Sequence, residues 1–125
     1  MEPRLYIIMR EDLWDMNPGK GMAQAAHAQA LFDSYTPEVL GDYGKHYSAW
    51  AEDRGFGTTL VLTAPKSEWM QISLGVEHCG YVNDPTYPYR NYYGKLFTES
   101  EDTCMWVFAI TEEEIKHMHQ WPLHE

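Results

Sequence analysis

Lys20 follows Gly19 directly and heads an alanine-rich segment, with Gln24 and His27 four and seven residues further on. At helical spacing Lys20, Gln24, His27 and Leu31 share one stripe, setting an ammonium, an amide and an imidazole in a line from the helix mouth. Such a mouth, with its backbone N–H groups, can hold a phosphate or the oxyanion of a tetrahedral intermediate. Asp84 closes the third strand expected from the sequence, and a carboxylate there can orient a water molecule or accept its proton. Lys20 and Asp84 together suit ester hydrolysis on an anionic substrate. Each residue also has a plainer use. His27 can bond a backbone carbonyl, Gln24 can tie its helix to a neighbouring loop, and Asp84 can start the turn before Pro85.

The elements that must position these groups alternate between strand and helix. Leu5 to Met9 is apolar throughout, as expected of a central strand buried on both faces. A polar loop, Arg10 to Pro18, carries Trp14 and Met16, which are expected to pack down. The first helix is expected from about Lys20 to Asp33, where small side chains allow close approach to a sheet. Thr36-Pro37-Glu38 begins a second helical segment running through Trp50 and Ala51. Thr58 to Thr63 reads as the second strand, Ser67 to Ile72 as a short helix closed by Gly75, and Val76 to Asn83 as the third strand. Pro85 to Thr103 reads as a loop, with Tyr87, Tyr89, Tyr92, Tyr93 and Phe97 among Arg90 and Lys95. That mixture suits stacking on exposed bases with phosphate contacts. The alternatives are a loop packed on its own domain or a homodimer interface. Cys104 to Ile110 is the last strand, and Thr111 with Glu114 forms a capping box for a short closing helix.

The 125 residues are read as one domain, 1–125. Cys79 and Cys104, both in strand-like segments, are expected as reduced core thiols, and no apolar run approaches the ~20 residues needed to cross a bilayer. A cytoplasmic protein without membrane attachment is the expectation. Nine Lys and Arg against nineteen Asp and Glu give a net charge of −10. A polyanion would therefore need a local basic patch, for which Arg10, Lys20, Arg90 and Lys95 are the candidates. A Walker A loop is excluded: Trp14 stands where its first glycine belongs, and Gly21 follows the lysine. No G-x-S-x-G elbow, G-x-G-x-x-G turn or metal-spaced cysteine set occurs, and His117, His119 and His124 do not form a metal site. No cofactor is expected, and hydrolysis would use water.

From Arg10 to Ala28 the chain carries R-x-D-L-x-x-M-x-x-G-K-x-x-A-Q-x-x-H-A, met by Arg10, Asp12, Leu13, Met16, Gly19, Lys20, Ala23, Gln24, His27 and Ala28. This run resembles the first strand and helix of the archaeal and eukaryotic type of peptidyl-tRNA hydrolase, peptidyl-tRNA hydrolase 2. The resemblance implies a three-layer α/β/α fold around a mixed four-stranded sheet. It implies Lys20 and Asp84 as catalytic groups, with Arg10, Gly19, Gln24, His27, Thr86 and Arg90 binding substrate. The family continues D-A-G-R-T from its aspartate; here the run is Asp84-Pro85-Thr86-Tyr87-Pro88, with no arginine, Pro88 at the threonine position and Thr86 as the nearest hydroxyl. Residues 103–110 echo the family's last strand without its Gly-Pro ending. The expected partner is tRNA or another nucleotide-containing anionic ligand. Two functions stay open: an ester hydrolase releasing peptide or N-blocked amino acid from tRNA, and a non-catalytic module of the same fold holding a nucleotide, RNA or protein.

Overall fold

A computed structural model describes residues 3–13, 17–35, 43–52, 57–90 and 96–123. Trp14, Met16, the helix start at Thr36-Pro37-Glu38, Lys95 and His124 lie outside them. β1 (Arg4–Arg10) is central, with β2 (Thr59–Ala64) parallel on one side and β4 (Leu96–Ala109) antiparallel on the other. β3 (His78–Arg90) pairs with β4, so the sheet order is β2-β1-β4-β3. Two parallel neighbours cannot be joined by a hairpin. The connection from β1 to β2 accordingly carries α1 (Pro18–Tyr35) and α2 (Tyr43–Glu52).

Successive residues of β1 point to opposite faces, and both faces are apolar. Leu5, Ile7 and Met9 pack with Ala28, Phe32, Trp50, Trp106 and Phe108 beneath α1 and α2. Tyr6 and Ile8 pack on the other face with Trp69, Ile72, Met118 and Trp121. Those last residues come from α3 (Trp69–Leu74), α4 (Glu112–Met118) and the segment after α4. The described residues thus form a mixed α/β fold, an open four-stranded sheet with helices on both faces. Cys79 and Cys104 are unbridged, as expected, and belong to opposite cores. Among the described residues no helix is long and apolar enough to cross a membrane.

Three expectations need correction. The helix begins at Pro18, two residues early, because Asn17 caps it: its side-chain oxygen accepts from the Lys20 amide at 2.9 Å and its carbonyl from Gly21 at 2.8 Å. The third strand does not end at Asn83 but continues to Arg90. Most of the expected 85–103 loop is the outer half of a long β3–β4 hairpin. The prolines mislead here because an edge strand needs no N–H on its outer side and a bulge absorbs the misfit. One such shift separates Asp84, opposite Glu101, from Tyr87, opposite Glu99. Tyr87 is fully buried against Leu13, which anchors the outer half.

Before β2, Gly57 has φ 76°, and a Cβ there would collide with the Trp50 indole, whose Nε1 donates to the Thr58 carbonyl at 2.7 Å. Gly57→Ala should therefore lower the unfolding free energy by about 1–3 kcal/mol, through backbone strain and displacement of Trp50. Urea denaturation followed by tryptophan fluorescence checks this.

Candidate functional site

α1 is short of large side chains because it lies close to the sheet: Gly21, Gln24, Ala28 and Phe32 form its buried line. The stripe Lys20, Gln24, His27 and Leu31 meets that line at Gln24, and its other members stand one position to the side, along the seam between α1 and β3. Each member meets the hairpin differently. The Lys20 Nζ donates to the Pro88 carbonyl at 2.7 Å and lies 5.2 Å from the centre of the Tyr87 ring. One turn on, Gln24 Nε2 donates to Asp84 Oδ2 at 2.8 Å, and Gln24 Oε1 accepts from the Thr103 hydroxyl at 2.6 Å. His27 and Leu31 line a cleft of about 350 Å³ with Asn83, Asp84, Pro85 and Thr86.

Asp84 is held at the shift in β3. Its Oδ1 accepts from the Thr86 backbone amide at 2.9 Å and the Thr86 hydroxyl at 3.3 Å. The turn-forming use of Asp84 and its place in a cleft are therefore both realised. Partial burial pushes its carboxyl upward. The bonds from Gln24 and Thr86, with His27 nearby, outweigh this and hold it below its ordinary 3.8. Asp84 is thus a carboxylate at neutral pH with three donors on it. Room remains for one more on Oδ2, since an ionised carboxylate offers about four lone-pair sites.

The seam unites Lys20, Gln24, His27, Asp84 and Thr86. It does not recruit the other expected residues in the same way. Arg10 donates to Asp12 at 3.1 Å, to Glu101 at 2.8 Å and to the Asp102 carbonyl at 3.2 Å. Its charge is answered by acids, Asp12 and Glu101. Gly19 is exposed at the start of α1. Arg90 ends β3, and its side chain lies outside the described structure. At the helix mouth, where an anion is expected, the Asn17 side chain takes the Lys20 amide, and the Gly21 amide makes the first intrahelical bond to the Asn17 carbonyl. Burial drives the Cys104 thiol up to about 12 and also raises Cys79, so neither is a ready thiolate nucleophile.

The residue missed from sequence is Thr103. It is fully buried and orients the Gln24 amide so that its NH₂ points at Asp84. A hydroxyl opening the apolar run Cys104 to Ile110 was the available signal, since a buried hydroxyl demands a partner.

Two outcomes follow. Gln24→Leu keeps the volume but strips Asp84 of a donor and the Thr103 hydroxyl of its acceptor. It should cost about 1–3 kcal/mol in thermal or urea unfolding and raise the Asp84 carboxyl toward its ordinary value in an NMR titration. Asp12, Asp84 and Asp102 are all held low. A depressed folded value contributes stability that is complete above the ordinary 3.8 and lost as pH falls through the folded value. Urea midpoints should thus drop below about pH 4, and Asp84→Asn should flatten that slope.

Compared with protein-family models and with curated proteins, the chain matches none.

Proposed function

We propose that the chain hydrolyses the ester joining a peptide or N-blocked amino acid to tRNA, as its resemblance to peptidyl-tRNA hydrolase 2 implies. The observation carrying this reading is the Gln24–Asp84 bond. It brings a carboxylate, the His27 imidazole and the Thr86 hydroxyl to one cleft, one helical turn from the Lys20 ammonium. Water is the nucleophile. Its proton faces the remaining acceptor site of Asp84, which orients the water and relays that proton to the departing ribose oxygen of the tRNA as the acyl–oxygen bond breaks. Lys20 would answer the negative charge that develops on the ester oxygen, exchanging the Pro88 carbonyl for it. Thr86 supplies the hydroxyl near the aspartate in place of the threonine that Pro88 displaces.

A second reading, binding without hydrolysis, draws on different bonds. The Lys20 Nζ already has the Pro88 carbonyl, and the Asn17 side chain takes the Lys20 amide.

N-acetylaminoacyl-tRNA separates the two. The first reading expects release of N-acetylamino acid by the parent protein, and a loss of about a hundredfold or more in both Lys20→Ala and Asp84→Asn with the fold intact by circular dichroism. Binding of the same tRNA without release establishes the second reading. Release undiminished in either variant removes the proposed roles.

A further inference from the structure

The seam between α1 and β3 has a direction. Lys20 stands at one end of it, Gln24 with Asp84 in the middle, and His27 and Leu31 at the other. Its chemistry changes along that line. On the Lys20 side of Asp84 there is a cation. On the other side the cleft of about 350 Å³ turns aliphatic, with Ala30, Leu31, Val82 and Pro85 in its wall. Among the described residues, no lysine or arginine lines it. Leu31 is 43% exposed and shares a helix face with His27, one turn earlier, so its side chain is open to whatever enters beside Asp84.

We propose that this aliphatic end seats the side chain of the amino acid whose ester is cut, so that the chain favours esters of apolar amino acids over those of acidic ones. The inference rests on the hydrolytic reading proposed for the same site. An aminoacyl ester has two branches at its carbonyl carbon, one to the ribose of the tRNA and one to the α-carbon. With the water on Asp84, the two branches diverge toward different ends of the seam. The tRNA branch is a polyanion, and on a chain of net charge −10 it needs the cation, so it takes the Lys20 end. The acyl branch then runs toward His27 and Leu31.

An aliphatic wall gains from covering an aliphatic side chain and loses from stripping water off a charged one. Asp84, a carboxylate at neutral pH, adds repulsion against an aspartyl or glutamyl side chain placed next to it. The competing occupant is the terminal base of the tRNA. Bases are held chiefly by stacking on aromatic faces, whereas this lining offers aliphatic groups and one imidazole. A branched aliphatic side chain matches it better.

Occupancy and turnover are measured separately. NMR titration with the N-acetyl amides of leucine and aspartate, and with adenosine monophosphate, reads occupancy without any reaction. The leucine amide should shift the backbone signals of His27, Leu31 and Thr86 and bind about tenfold or more tighter than the aspartate amide. Release from N-acetylleucyl-tRNA should exceed release from N-acetylaspartyl-tRNA by about tenfold in kcat/KM. Leu31→Lys, which sets a cation in the aliphatic wall, should erase that ratio. Met22→Lys, at a 70% exposed position of α1 outside the cleft, should keep it. Equal release from the two esters overturns the preference and leaves hydrolysis standing. So does a ratio that the two variants, both folded by circular dichroism, alter alike. Adenosine monophosphate shifting those signals in place of the leucine amide overturns the seat. Release from neither ester, with the leucine amide bound at the cleft, removes the hydrolytic reading and keeps the seat.

Discussion

One side-chain amide carries the connection between the first helix and the long hairpin. Gln24 is 2% exposed and has no water to fall back on, so both ends of its amide must be answered by protein. Thr103 donates to its oxygen from β4, and Asp84 accepts from its nitrogen on β3. The directionality matters: a hydroxyl on one side and a carboxylate on the other leave only one orientation of the amide that satisfies both. α1 is thereby fixed in rotation and in translation, and the residues one turn before and after Gln24 are fixed with it. The seam chemistry follows from that constraint.

The central strand was plain in the sequence because an uninterrupted apolar run has few other uses. The two helical faces were what the resemblance implied, and the alternation of strands and helices was consistent with them. The stripe Lys20, Gln24, His27 was visible from spacing, and so was the Thr111–Glu114 capping box, in which the Thr111 hydroxyl accepts from the Glu114 amide at 3.1 Å. What hid the rest was punctuation. Pro85 and Pro88 read as a stop, whereas their missing donors cost nothing on the outer side of an edge strand. The burial of Tyr87 against Leu13 joins residues far apart in the chain, and no local pattern encodes it. Asn17 was eclipsed by the Gly19-Lys20 pair beside it, so its capping of the Lys20 amide went unread.

The charge distribution has a similar lesson. Glu101 and Asp102 sit on the hairpin strand opposite Asp84 and Asn83, and they engage Arg10 and Lys66. The acids are thus counterions that bind β4 to β1 and to the turn before α3, and part of the negative total is internal bookkeeping. Pairs this close to the surface add little stability, but they do decide which cations are available to a ligand.

The extra residue between Asp84 and Tyr87 behaves as a phase shift in a two-beat pattern. Upstream of it, even-numbered positions such as Val82 turn toward the α1 side; downstream, parity is reset so that Tyr87 reaches the interior. Substitution inside this segment alters a side chain, but lengthening or shortening it by one would invert the facing of everything beyond. The chain here should accept changes of letter far more readily than changes of count.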